Sequence, residues 1–197
     1  MVDKVAVVTG ANKGIGFGIV RELCKRGLRY VYLTARDIKR GEEAIEKLNK
    51  EGLRPTFHQL DVTDELSVKT FAKHLKEKHG DSVKDGTLKE EDFQELPLLA
   101  YKISKIAVSA LTRIQQKEVG RGISINSLHP GFVKTDMVKS VGHLTVEEAS
   151  DAPVYLALDI DQSVKGKYFW FDKTEKDWAD ANQKIHSNYV CPTVLTA

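Results

Sequence analysis

Tyr101 and Lys105 are the pair in this 197-residue chain whose types and spacing carry the plainest acid–base chemistry. Four residues apart on a helix, they share one face, one turn from each other. A phenol, with its ordinary pKa of about 10, is a poor proton donor at neutral pH unless a nearby cation favours the phenolate. A lysine one turn along is such a cation. The same spacing also arises by chance on a solvated helix face, so the pair alone leaves both readings open. A second cluster, Thr9-Gly10-Ala11-Asn12-Lys13-Gly14-Ile15-Gly16, has the composition of a phosphate cradle. Without Cβ atoms at its glycines, backbone N–H groups and the start of the next helix can come against a phosphate. Glycine in such a turn also serves tight packing alone.

Both clusters need elements to hold them. Val5 to Val8 is a short apolar run of the kind that forms a strand covered on both faces. After the glycine turn, Ile15, Ile19, Val20, Leu23 and Cys24 recur at helical spacing. A second strand runs from Tyr30 to Thr34. A helix carrying Ala44, Ile45 and Leu48 stops at Gly52, and a third strand spans Thr56 to Leu60. Thr63 or Asp64 caps a further helix with Val68, Phe71, Ala72 and Leu75 on one stripe. This alternation predicts an α/β fold, a Rossmann-like doubly wound parallel sheet with helices on both faces. Such sheets bind ligands at the C-terminal ends of their strands, which places the glycine turn, Arg36 and Asp61 along one rim.

At the end of a second strand, an acidic residue suits the free ribose hydroxyl of NAD, whereas a cation suits the 2′-phosphate of NADP. Here Arg36 comes first and Asp37 follows, with Lys13 and Arg40 close by, so NADP (NADPH) is the expected cofactor. The bland alternative is a group of solvated helix-edge charges. Asp61 is placed to accept a hydrogen bond from an adenine amino group, with Val62 beside the ring, unless it merely serves as a helix N-terminal acid.

In the second half, Leu98, Leu99, Ile103, Ile106, Ala107, Ala110, Leu111 and Ile114 predict the helix that carries Tyr101 and Lys105. Ile123 to Leu128 is expected as a strand running into His129-Pro130-Gly131-Phe132-Val133-Lys134-Thr135-Asp136, where proline and glycine turn the chain on the ligand rim. Thr145 with Glu148 forms a capping box opening a helix through Leu158, with a kink or late start expected from Pro153. Lys167 to Phe171 reads as a last strand, and the tail from Trp178 lacks periodicity.

Composition narrows the function. The net charge is only +2, with both signs interspersed, which gives no reason to expect nucleic acid or a membrane surface as partner. The first strand begins within a few residues of Met1 and no apolar run approaches the ~20 residues that cross a bilayer. A cytoplasmic location is therefore expected. Two cysteines, Cys24 and Cys191, suggest neither a disulfide framework nor a metal site, and Cys24 reads as core.

Together, the Thr9–Gly16 turn, Arg36, Asp61-Val62, Tyr101-Lys102-Ile103-Ser104-Lys105 and Pro130-Gly131 with Thr135 resemble the short-chain dehydrogenase/reductase family. Asn12-Lys13-Gly14-Ile15-Gly16, Thr34-Ala35-Arg36-Asp37 and Phe57-His58-Gln59-Leu60-Asp61 are most similar to its NADPH-dependent carbonyl reductases. The resemblance implies hydride transfer to the carbonyl carbon of a small ketone, aldehyde or quinone. It implies that Tyr101 protonates the developing alkoxide, that Lys105 lowers the phenol's pKa and bonds the nicotinamide ribose, and that Val133 and Thr135 hold the carboxamide. Gly10, Asn12, Gly14, Ile15 and Gly16 would line the pyrophosphate, with Lys13, Arg36 and Arg40 near the 2′-phosphate. No metal is implied.

One internal stretch departs from that pattern. Between Gly80 and Tyr101 the chain has only 20 residues. The family's strand-helix-strand unit there, which ends its first strand in an Asn-Asn-Ala-Gly turn and delivers a catalytic serine, needs about 30 or more. Asp81 to Pro97 holds eight charged residues and no apolar run fit for a buried strand. Thr87 to Phe93 instead resembles the insertion preceding the active-site helix of monomeric carbonyl reductases, from which a monomer is expected. The reading is therefore a single domain over 1–197, internally truncated between about 80 and 98 and lacking the usual fourth and fifth strands. Ser82, Thr87 and Ser104 are poor substitutes for the serine. The first strand would have to pair with the strand near Leu128 or present an open apolar edge. A non-catalytic truncated isoform, binding at most NADPH or a partner, is the alternative to an active reductase.

Overall fold

The structure, a computed structural model, describes residues 4–79, 97–119, 122–136 and 142–177. Its contacts group into two compact units, Met1–Asp85 with Val133–Val154, and Gly86–Phe132 with Tyr155–Ala197. The stretch read as truncated, the Thr87–Phe93 segment and the tail from Trp178 lie outside the described residues.

In the first unit β1 (Val5–Val8), β2 (Tyr30–Ala35) and β3 (Thr56–Gln59) form a parallel sheet in the order β1-β2-β3. Register runs Val5 to Tyr30 and Tyr32 to Thr56. β2 is central, and Val31 to Ala35 are all buried, as a near-continuous apolar run requires of a strand covered on both faces. The connections are α1 (Gly14–Lys25) between β1 and β2 and α2 (Ile38–Lys50) between β2 and β3, with α3 (Glu65–His79) following β3. Leu23, Leu33, Leu48 and Val20 are fully buried, while Tyr32, Leu60, Phe71 and Leu75 form a cluster between β2, β3 and α3. Gly41 lets α2 lie directly on Phe57 of β3, since a Cβ there would coincide with the ring.

Among the described strands β1 hydrogen-bonds to β2 alone, and Val7 is 38% exposed. The first unit is completed by a later segment. Val133 bridges Leu144, and α5 (Val146–Leu158) starts on the expected capping box. Thr145 N–H donates to Glu148 Oε2 at 2.7 Å and Glu148 N–H to Thr145 Oγ1 at 3.1 Å. The helix begins there rather than late and continues through Pro153.

The second unit contains α4 (Pro97–Glu118), then β4 (Ser127–His129), β5 (Tyr168–Trp170) and β6 (Glu175–Lys176), with β4 parallel to β5 and β6 antiparallel to it. The strand expected over Ile123–Leu128 is shorter. Gln116 of α4 explains why: its side-chain amide donates to Ile123 C=O at 3.2 Å and accepts from Ile125 N–H. A side chain therefore satisfies backbone groups that a ladder would otherwise use. The antiparallel β6 was not foreseen. It closes a hairpin in which Lys173, at φ 68°, occupies the left-handed turn position and Thr174 N–H caps onto Asp172.

Candidate cofactor-binding rim

The glycine turn is held at the sheet's C-terminal edge by one backbone bond: Ala11 N–H donates to Thr34 C=O at 2.9 Å, joining the end of β1 to the end of β2. The end of β3 is added by Leu60 N–H to Ala35 C=O at 3.0 Å. Gly10 and Gly14 have φ of 63° and 60°, a conformation other L-residues adopt rarely. Nothing stands within 4 Å of a Cβ built at Gly10, so space is open beside it, whereas one at Gly16 would press at 3.0 Å on the backbone of Gly10 and Ala11.

The start of α1 differs from those of its neighbours. Asp37 caps α2 by accepting from Arg40 N–H at 2.9 Å, Asp64 caps α3 through Leu66 N–H at 3.0 Å, and α5 has its box. The N-cap position of α1 is Lys13, which provides no side-chain cap, and its first turn carries no acid. The leading N–H groups of α1 therefore have no side-chain cap from the N-cap residue, and a helix start of this kind can receive an anion.

Arg36, Arg40, Asp61, Val62, Val133 and Thr135 belong to the same unit as this start. Arg36 and Arg40 are exposed, and neither guanidinium makes a hydrogen bond or ion pair among the described residues. Asp61 accepts from Thr63 N–H at 3.0 Å and Thr63 Oγ1 at 2.7 Å. These bonds hold its carboxyl below the ordinary value, and the charge of Arg36 adds to the effect. Asp64, not Asp61, is the N-terminal acid of α3. Val62 is 63% exposed, leaving an apolar surface beside Asp61. Gly14 would place a Cβ 3.7 Å from Thr135 Cγ2, so Thr135 stands over the turn.

Several contacts fix the segment bearing Thr135. Lys134 N–H donates to Leu144 C=O at 2.8 Å, and Gly142 lies so close to the Val133–Lys134 peptide that no Cβ fits. The buried Gly18 lets α1 meet Val146 and Ser150 of α5. Arg21 of α1 spans to Glu147 and Glu51, each at 2.8 Å, with its guanidinium 4.9 Å from the Phe17 ring centroid. A cleft of about 340 Å³ lies beside Gly14, Phe17, Arg21 and Thr145. Gly18, Arg21 and Asp136 escaped sequence reasoning. Only Gly18 left a signal, as a glycine on an otherwise good helix face.

α4 is helical through Tyr101 and Lys105, which places them one turn apart. Their side chains lie outside what the structure describes, and the pair belongs to the second unit. In that unit His129 stacks on Trp170 with ring centroids 4.3 Å apart, and Gly131 N–H donates to its Nδ1 at 3.0 Å, which orders the Pro130–Gly131 turn.

Comparison with known proteins identifies the class that the rim and its motifs define. The family model described as short chain dehydrogenase matches residues 4–83 and 94–144. The chain belongs to that family. Carbonyl reductase [NADPH] 3 of Mus musculus is 31% identical over 252 positions, covering 79% of this chain and 91% of the relative. Carbonyl reductase [NADPH] 1 of Sus scrofa is 52% identical over 77 residues, 39% of this chain and 27% of the relative. The NADPH-bound carbonyl reductase from chicken fatty liver superposes with a TM-score of 0.73 at 22% identity, over 88% of this chain and 98% of that one. Salutaridine reductase from Papaver somniferum gives 0.71 at 23%, over 85% and 99%. These two likenesses establish the doubly wound α/β fold.

Proposed function

We propose that this chain binds NADPH on the rim of its first unit and descends from NADPH-dependent carbonyl reductases that convert small ketones, aldehydes or quinones to alcohols. The observation that carries the reading is the start of α1, without a side-chain cap at a glycine turn, in a unit that also holds two exposed guanidinium groups with no partner among the described residues. Gly10, Asn12, Gly14, Ile15 and Gly16 would hold the pyrophosphate by backbone donors; Arg36 and Arg40, with Lys13, would take the 2′-phosphate. Asp61 would accept from the adenine amino group while Val62 packs on the ring, and Val133 with Thr135 would hold the carboxamide. The bound cofactor supplies a hydride. Tyr101 delivers the proton to the carbonyl oxygen, and Lys105 makes the phenol acidic enough to do so and bonds the ribose. General acid catalysis of this kind contributes about 10²- to 10⁴-fold. The relatives' names and the family match support this assignment.

A second reading, a truncated isoform that binds NADPH without turnover, draws on three observations. The family match is broken between residues 83 and 94, within the stretch expected to lack its block. The alignment to the mouse relative, 252 positions, is longer than this whole chain of 197 residues, so it carries gaps on this side. Among the described strands β1 has β2 as its one neighbour, the side on which the family's further strands would add being unmatched there. Loss of the serine's hydrogen bond to the carbonyl costs about 10²- to 10³-fold by analogy with other oxyanion donors. On this reading the chain is one domain, internally truncated between about 80 and 98, a monomer, and cytoplasmic; among the described residues no helix is long and apolar enough to cross a membrane. NADPH oxidation with a small quinone or activated ketone separates the two. Turnover by this chain supports the reductase. Saturable NADPH binding without turnover, alongside turnover by a version with the strand-helix-strand block restored, supports the isoform.

A further inference from the structure

Of the three cations expected at the 2′-phosphate, Lys13 alone is engaged among the described residues. Its Nζ donates to Asp136 Oδ2 at 2.8 Å, across 123 positions of sequence, while the Arg36 and Arg40 guanidinium groups have no hydrogen bond or ion pair among the described residues. Asp136 does not drift there on a loose chain end. It follows Thr135, which stands over Gly14, on the segment pinned by the Lys134–Leu144 bond, by Gly142 and by the α1–α5 contact at Gly18. The carboxylate is thus held against the side chain of Lys13, the N-cap residue of α1.

We propose that Asp136 is a specificity-determining residue that acts through Lys13, holding the ammonium away from the 2′-phosphate and so lowering the chain's preference for NADP over NAD. This rests on the NADP reading given above. The physical basis is competition: one ammonium cannot make a short bond to Asp136 and to a 2′-phosphate together, so part of the phosphate's attraction is spent breaking the existing pair. Both partners are largely exposed, 63% and 80%, so the pair is weak enough to be exchanged and strong enough to bias the outcome. Removing the carboxylate frees Lys13 for the 2′-phosphate and changes little for a cofactor that lacks that group.

The test is a set of titrations with NADPH and NADH, followed by nicotinamide fluorescence at low ionic strength, on the full chain and on Asp136→Asn, Asp136→Glu, Lys13→Ala and the Lys13→Ala/Asp136→Asn double variant. Asp136→Asn should tighten NADPH by about two- to fivefold, the range of exposed ion pairs, and leave NADH within about twofold. Asp136→Glu, which keeps the pair, should resemble the unaltered chain. In the Lys13→Ala background the Asn substitution should lose its effect, because the carboxylate acts through the ammonium. Raising the salt concentration should shrink the difference. The proposal is overturned if Asp136→Asn leaves NADPH affinity unchanged or weakens it, if it tightens NADPH and NADH equally, or if its effect persists without Lys13. Absence of saturable NADPH binding to the unaltered chain overturns the NADP reading and this inference with it, whereas saturable binding that Asp136→Asn does not move overturns this inference alone.

Discussion

Replacing Gly18 with alanine sets helix propensity against packing, and the two predict opposite signs. In the interior of an exposed helix, Gly→Ala stabilises by about 1 kcal/mol. Gly18 is buried, and an added Cβ would coincide with Ser150 Oγ, lie 2.5 Å from Val146 Cγ1 and 3.2 Å from Val146 O. To make room, Ser150 must rotate away from Val146 C=O, to which it donates at 2.6 Å, and at 1% exposure its hydroxyl finds no water in exchange. An unpaired buried hydroxyl costs about 1–3 kcal/mol, and overpacking a close contact costs about 1–3 kcal/mol more. After the propensity gain, Gly18→Ala should destabilise by about 3 kcal/mol, a fall in Tm of about 6–12 °C for a chain of this size. Thermal unfolding followed by circular dichroism measures it. Gly18→Ala/Ser150→Ala removes the Ser150 Oγ clash and the orphaned hydroxyl while leaving the Val146 Cγ1 contact, and should recover about half of the loss. A Gly18→Ala chain as stable as the original, or more stable, would refute the account of how α5 is held on α1.

Other outcomes follow from the same geometry. Gly142→Ala drives a Cβ into the Val133–Lys134 peptide and should displace the Thr135 segment, at a cost of about 1–3 kcal/mol, with NADPH affinity falling alongside stability in urea titrations. Thr145→Ala removes half of the capping box and should cost about 1 kcal/mol by the same assay. Arg36→Ala should weaken NADPH about ten- to a hundredfold, as loss of a charge-assisted hydrogen bond does, and spare NADH, read by competitive titration. Stability should also depend on pH through His74. Burial, together with the neighbouring His58 ring 4.8 Å away and Lys78, holds its pKa below the ordinary 6.5. The folded state thus favours the neutral ring and binds fewer protons than the unfolded chain, so this contribution is complete above pH 6.5 and is lost as pH falls through the depressed value. His74→Leu should flatten the acid branch of the stability curve.

How far the sequence reached depended on whether a signal was local. The β1–Gly turn–α1 stretch was legible because a short apolar run, spaced glycines and a helical stripe each point to one local structure and agree. Thr145 and Glu148 announced a helix start and form it, since a capping box involves only four consecutive residues. Ile123–Leu128 alternates like a strand, yet Gln116 reaches back from α4 to take Ile123 and Ile125, a partner that periodicity cannot register. Lys13 is legible as a residue of the turn, but its bond to Asp136 spans 123 positions, a separation no local pattern registers.

The central claim, that the rim is an NADP site, is tested most directly by titrating NADPH into the full chain and following nicotinamide fluorescence, with NADH titrated in parallel. The account predicts saturable binding of NADPH, tighter than that of NADH, with the difference lost in Arg36→Ala. No saturable binding, or NADH bound as tightly as NADPH, would contradict it.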